Sequence, residues 1–142
     1  MTISAIIENR QGGVISAAPD DNVAKVAQIL ADKRIGALPI IQNDDVVGIF
    51  SERDLVYGIA QNGAKMMEMK VGDVMTAPAI SISSDTLILS ALSLMTKRRI
   101  RHLPVVDNGR LISFVSIGDL VKYRIDKIEA EAAAMRDYIQ MA

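Results

Sequence analysis

Two serine–aspartate pairs at one spacing are the residues of this 142-residue chain best suited to chemistry. Ser51 and Asp54 stand in SERDLV, Ser116 and Asp119 in SIGDLV, and each segment follows a run of apolar residues. A serine with an acid three residues later is a capping box, worth about 1 kcal/mol to the helix it opens. The same geometry can also hold a ligand. A helix N-terminus offers unpaired N–H groups and partial positive charge to a phosphate. A carboxylate there can accept from both hydroxyls of a ribose. One such helix start is ordinary, but two in equivalent places of paired units build a symmetric cleft.

The second feature is RRIRHLPVV, in which Arg98, Arg99, Arg101 and the only histidine, His102, precede a β-rich run. Arginine forks match phosphate oxygens in pairs, and histidine adds a further donor. For Arg98 and Arg99 a solvated charge run is the simpler reading. Arg101 and His102 differ, because the residues in the matching places earlier in the chain are Gly36 and Ala37, small and neutral. Basic groups on one side facing space on the other would make two unequal sites, and either cleft could take them. One histidine and no cysteine leave no metal site to expect, and no disulfide or thiol nucleophile. No catalytic residue is expected either: there is no phosphate loop, and a single histidine cannot activate both serines.

These residues must be positioned by a duplicated scaffold. Displaced by about 65 residues, the segment from Val14 to Val56 falls without gaps on Ala79 to Val121. The identities lie at punctuation: Pro39 on Pro104, Asn43 on Asn108, Ser51 on Ser116, Asp54 on Asp119. Each copy begins with a short extended piece, 14–17 or 79–82, and then a cap expected at 20–22 or 84–86. A helix follows with apolar residues stepping by three and four: Val23, Val26, Ala27 and Leu30, matched by Ile88, Ala91, Leu92 and Met95. Two strands come next, 38–41 with 46–50 and 103–106 with 111–115. DNG is a strong hairpin signal in the second copy, and QNDD a weaker one in the first. The serine–aspartate segment then opens another helix.

The expected fold is α/β (α+β), two tandem β-α-β-β-α repeats related by a pseudo-twofold axis. Their extents are 1–63 for the first and 64–125 for the linker and second, with a helical extension over 126–142. Units this small are marginal alone and should pack on each other. In the final helix Val121, Ile125, Ile128, Ala132, Met135 and Ile139 alternate spacings of four and three. That seam either lies on its own domain or pairs with another subunit.

Half of the residues are apolar but only 4% aromatic, so the core must come from Ile, Val, Leu, Ala and Met. A net charge of −1 gives no electrostatic reason to expect nucleic acid or an anionic membrane as partner. The opening MTISAIIENRQGG has neither the basic start nor the apolar run of a secretory signal, and no window is apolar enough to span a bilayer. A soluble protein of the cytoplasm is the expectation.

With the repeats in view, the chain resembles the tandem cystathionine-β-synthase (CBS) domain pair, the Bateman module. The likeness is carried by VGDVMTAPAISI, by RIGALPII and RIRHLPVV before the hairpins, and by GIFSERDLV and SFVSIGDLV after them. It covers roughly Ile6 to Ile125. The resemblance implies two clefts between the repeats, commonly a homodimer, and binding of adenosine ligands: AMP foremost, or ADP, ATP, NADH or S-adenosylmethionine. It implies that Asp54 and Asp119 take ribose hydroxyls, with Ser51 and Ser116 near ribose or phosphate and Arg53 also among the nucleotide-binding residues. Arg101 and His102 would meet phosphate, and Ile15, Ser16, Ala79 and Ile80 would line the adenine. It also implies a regulatory module that signals to a separate effector protein, with no obligatory cofactor. The alternative is a structural or interaction module whose clefts stay empty. One departure from the family pattern is Ser113, where the first copy has Gly48.

Overall fold

The computed structural model describes residues 1–10 and 12–141; Ala142, the last residue of the expected extension, lies outside them. In chain order the elements are α1 (Ser4–Ile7), α2 (Val23–Lys33), β1 (Ala37–Gln42), β2 (Asp45–Ser51) and α3 (Glu52–Asn62). After 3₁₀ turns at Gly63–Glu68 and Val71–Asp73 come α4 (Ile88–Arg98), β3 (His102–Asp107), β4 (Arg110–Ser116) and α5 (Ile117–Met141). This is the duplicated α/β arrangement that the sequence leads one to expect.

The apolar steps become the inner faces of α2 and α4. Val23, Val26 and Leu30 are buried on the first, Ile88, Ala91 and Met95 on the second. Each helix ends at an arginine in the left-handed region, Arg34 at φ 53° and Arg99 at φ 55°. Both hairpins turn on two residues of positive φ, Asn43–Asp44 and Asn108–Gly109, the mirror-image turn whose twist suits paired strands. QNDD thus makes the same turn as DNG.

Each hairpin shifts register at one place, between Ile40 and Ile41 or between Val105 and Val106. The extended lead-in joins there through a single parallel bridge, Ala17 to Ile40 and Ile82 to Val105. The lead-in strands therefore exist as one-residue pairings rather than as full ladders.

One cap differs from expectation. Asn22 does cap α2, its side chain accepting from the Lys25 N–H at 2.8 Å. In the second copy Leu87 occupies that place and offers no side-chain bond. There Ser84 turns to Asp107, which accepts from its N–H at 2.9 Å, and Thr86 Oγ1 accepts from the Ser83 N–H at 3.2 Å.

The two cores exchange the segments that precede them. Ile3 is fully buried with Ile88, Leu103 and Leu120 of the second repeat, while Met66 and Val71 of the linker are fully buried with Val23, Leu38 and Phe50 of the first. The backbone docking is the same on both sides. Ile3 N donates to Thr86 O at 2.9 Å and Ser4 N to Ser84 O at 3.0 Å; Val71 N donates to Asp21 O at 2.8 Å and Gly72 N to Pro19 O at 3.0 Å. Each repeat is thereby strapped to the other, and the strap brings new residues to each cleft.

Candidate functional site

The capping geometry is formed at both serine–aspartate segments. At α3, Asp54 N donates to Ser51 Oγ at 3.3 Å, and Asp54 Oδ2 accepts from Ser51 N at 2.9 Å and from Ser51 Oγ at 3.1 Å. At α5, Asp119 N donates to Ser116 Oγ at 3.1 Å and Asp119 Oδ2 accepts from Ser116 N at 2.8 Å. Capping engages one carboxylate oxygen, and Asp54 turns the other, Oδ1, to the Thr76 hydroxyl at 2.8 Å. A carboxylate oxygen has more than one acceptor direction, so Oδ1 can take a further donor.

Around Asp54 opens a cleft of about 250 Å³. Ser51, Arg53 and Asp54 line it from the first repeat and Thr76 from the strap; Ala79 and Ile80 come from the lead-in of the second repeat, and Arg101 and His102 from the start of β3. The basic pair of the second copy thus faces the aspartate of the first. A Cβ at Gly36 would touch the imidazole of His102 at 3.5 Å, so the small residue keeps that side of the ring uncrowded. Arg53 reaches across the repeats, Nη1 donating to Arg99 O at 3.2 Å, and ties α3 to the left-handed end of α4. Among the described residues no carboxylate lies within ion-pair distance of Arg101. A cation exposed on a cleft wall without a counter-ion is available to an anionic ligand.

His102 stacks on Phe114, with ring centroids 5.7 Å apart. Burial pushes its pKa below the ordinary 6.5, with help from Arg101; Asp119 and Glu52 oppose the shift but do not reverse it.

Around the other pseudo-equivalent position is a cavity of about 340 Å³, lined among others by Ile7, Arg10, Gly12, Ile15, Ala37 and Phe114. Ile15 faces it; Ser16 is exposed and outside its lining. Ser116 and Asp119 connect to it through Arg10, whose Nη2 pairs with Asp119 Oδ2 at 2.6 Å. Arg10 Nη1 donates to Phe114 O at 2.8 Å and approaches Ser113 Oγ at 3.4 Å. Burial alone would raise the pKa of Asp119, but the Ser116 N–H and the Arg10 guanidinium outweigh it and hold the carboxyl below its ordinary 3.8.

Thr76 and Arg10 are two polar site residues that the sequence reading does not single out. Thr76 lies inside VGDVMTAPAISI and carries no recognisable pattern of its own. Arg10 is one charge before a Gly–Gly pair, 104 residues from the carbonyl it meets.

Among the described residues no group of three or more His, Asp or Glu side chains is arranged to hold a metal ion. No helix described is long and apolar enough to cross a membrane.

Comparison with known proteins places this geometry in a family. The CBS domain model matches twice, over residues 10–61 and 71–126. The mitochondrial CBS domain-containing protein CBSX3 of Arabidopsis thaliana is 32% identical, over 98% of this chain and 72% of that protein. The CBS-domain containing protein ATU1752 of Agrobacterium tumefaciens superposes with a TM-score of 0.83 at 33% identity, over 87% of this chain and 99% of that one. Two further neighbours were solved with ligands. CBSX2 in complex with AMP has a TM-score of 0.73 at 26% identity, over 88% of this chain and 96% of that one. The CBS domain pair of MJ0100, in complex with 5′-methylthioadenosine and S-adenosylmethionine, has a TM-score of 0.76 at 25% identity, over 87% and 98%. An inosine-5′-monophosphate dehydrogenase of Methanocaldococcus jannaschii also matches, at 34% identity, but only over 22% of its length.

Proposed function

Because the chain belongs to the CBS-domain family, we propose that it is a regulatory, non-catalytic module that binds an adenosine ligand, AMP foremost, in the Asp54 cleft. One observation carries this reading. A carboxylate able to take sugar hydroxyls and an arginine–histidine pair able to take a phosphate lie in one cavity, contributed by different repeats. The complexes of CBSX2 with AMP and of MJ0100 with S-adenosylmethionine support an adenosine ligand. ADP, ATP, NADH and S-adenosylmethionine are the other candidates, and a phosphate-bearing one suits Arg101 best. A ligand spanning both repeats favours one packing of the repeats over another. It can therefore change a surface read by a separate effector protein.

The long α5 supports a homodimer in the same reading. Val121, Ile125, Ile128, Met135 and Ile139 are 40–63% exposed along one seam, on a helix roughly 37 Å long. The same seam is the observation that favours the rival reading, an interaction module with empty clefts. A chain without cysteine needs no oxidising compartment, so a cytoplasmic location is compatible with this reading.

A thermal-shift series with AMP, ADP, ATP, NADH and S-adenosylmethionine separates the two. A ligand at a hundred times its Kd stabilises the fold by about 2.7 kcal/mol. The binding reading expects a clear rise in Tm with at least one of them, and the interaction reading expects none.

A further inference from the structure

The two clefts carry the same helix cap but a different occupant. At the Asp54 cleft, Thr76 N donates to Ile49 O at 2.9 Å and the Thr76 hydroxyl meets Asp54 Oδ1 at 2.8 Å. At the other cleft, the matching carbonyl, Phe114 O, and the matching carboxylate, Asp119, are both engaged by the single guanidinium of Arg10, at 2.8 and 2.6 Å. Arg10 thus meets with one side chain the carbonyl and the carboxylate that the Thr76 backbone and hydroxyl meet together. On Asp119, however, it takes Oδ2, the oxygen that the cap also uses.

The consequences differ. A threonine hydroxyl is neutral, and it leaves Asp54 its charge and a free acceptor direction. A guanidinium neutralises Asp119, and its planar fork bridges Asp119 Oδ2 and the Phe114 carbonyl. The β4 strand beneath is adapted to this. Met75 lies so close over Gly48 that a Cβ there would fall 2.5 Å from its sulfur, whereas the second copy has Ser113, whose hydroxyl faces Arg10 at 3.4 Å. Nor, among the described residues, does the Arg10 cleft have cations opposite to draw in a phosphate, because Gly36 and Ala37 stand where Arg101 and His102 stand in the other copy.

We infer that Arg10 is a built-in occupant that closes the Asp119 cleft to the ribose diol, so that each chain takes up one nucleotide, in the Asp54 cleft. The inference rests on the proposed adenosine-binding reading and adds the residue that makes the two sites unequal. A sugar diol that needs the charge and both oxygens of Asp119 competes for them with the guanidinium.

Calorimetric titration of the full chain with AMP tests it, using wild type, Arg10→Gln, Arg10→Lys and the double variant Arg10→Gln/Asp119→Ala. Glutamine keeps a neutral N–H donor but cannot neutralise Asp119; lysine keeps the charge and loses the fork. Far-ultraviolet circular dichroism verifies folding of each. The expected stoichiometry is one AMP per chain for wild type, two for Arg10→Gln, and one again for the double variant. Arg10→Lys should give a second site weaker than that of Arg10→Gln. Two sites in wild type, or one site in both folded Arg10 variants, would overturn the inference while leaving adenosine binding intact. A fall in total AMP binding on replacing Arg10 would also overturn it, since Arg10 would then hold the ligand. If neither wild type nor any Arg10 variant binds an adenosine ligand, the functional reading itself fails. If only the Arg10 variants bind, the occupant is real and the Asp54 assignment fails.

Discussion

The imidazole of His102 lies 8° from parallel to the ring of Phe114, at a centroid distance of 5.7 Å. His102 lines the cleft of Asp54, and Phe114 lines the cleft of Arg10 and supplies the carbonyl that Arg10 holds. The stack is therefore a wall shared by both clefts, and a ligand pressing on one side meets a ring backed by the other.

Burial makes His102 harder to protonate than a free histidine, whose pKa is 6.5. A phosphate placed beside it would reverse that, because a neighbouring negative charge favours the imidazolium. In NMR titrations of the His102 ring, the midpoint should lie below 6.5 in the free protein. It should rise on adding AMP and stay put on adding adenosine. The stability linkage has a definite sign. With the folded pKa depressed, the unfolded chain protonates first, so stability falls as pH drops below 6.5 toward the folded value. Replacing His102 with Gln should flatten that part of the pH–stability curve.

Arg101 faces the same cleft without a carboxylate partner among the described residues. A charge-assisted hydrogen bond contributes about 1.5–3 kcal/mol. Arg101→Ala should weaken AMP binding by roughly ten- to a hundredfold and leave adenosine binding nearly unchanged. Equal losses for the two ligands in competition titrations would remove Arg101 from the phosphate role.

Asp119 draws stability from its ion pair with Arg10 and its bond from Ser116. Its carboxyl is held below 3.8, so this contribution is complete above that pH and disappears as pH falls through the lower, native value. Urea denaturation at pH 7 and pH 3 should show a smaller acid loss for Arg10→Gln than for wild type. An unchanged difference would mean that the pair contributes nothing to acid stability.

Gly48 is required by close packing rather than by its backbone angles. A Cβ there would fall 2.9 Å from the Thr76 carbonyl as well as against the Met75 sulfur. The sulfur can move, but the carbonyl belongs to the bridge that sets Thr76 on Asp54. Gly48→Ala should destabilise the fold by about 1–3 kcal/mol and weaken AMP binding by displacing Thr76. The reverse change in the second copy, Ser113→Gly, should cost only the roughly 0.5–1 kcal/mol of a glycine within a strand and leave AMP binding unchanged. Denaturation midpoints and titrations of the two variants compare them directly.

The α5 seam predicts an oligomer. Ile128→Glu, at a position 47% exposed, should leave the monomer fold intact and shift sedimentation from dimer to monomer. A chain that sediments as a monomer before the change would contradict the dimer reading.

The repeat, its hairpins and its capped helices were legible because each rests on local chemistry: alternating apolar residues, Asn and Gly in turns, Ser and Asp at helix starts. Even the weak QNDD turn follows from Asn43 and Asp44 tolerating positive φ. The exchange of leading segments was not legible, because Ile3 and Val71 are ordinary apolar residues whose burial is decided by the opposite repeat. The same is true of Arg10. Its contact with Phe114 spans 104 residues, and no spacing rule relates the two. The α4 cap misled for a related reason: Ser84 has the right chemistry for a cap, but Asp107 of the hairpin competes for it and wins. The sequence did show that the two copies differ, with Arg101 and His102 against Gly36 and Ala37, but it left open which cleft the basic pair lines.

The most direct measurement is calorimetric titration of AMP into wild type and Asp54→Ala. Loss of the Asp54 carboxylate also weakens the α3 cap by about 1 kcal/mol, so melting curves must first show both proteins folded at the titration temperature. Saturable binding in wild type that vanishes in Asp54→Ala is the predicted result. Binding of equal strength in the two proteins, or none to wild type, would contradict the account.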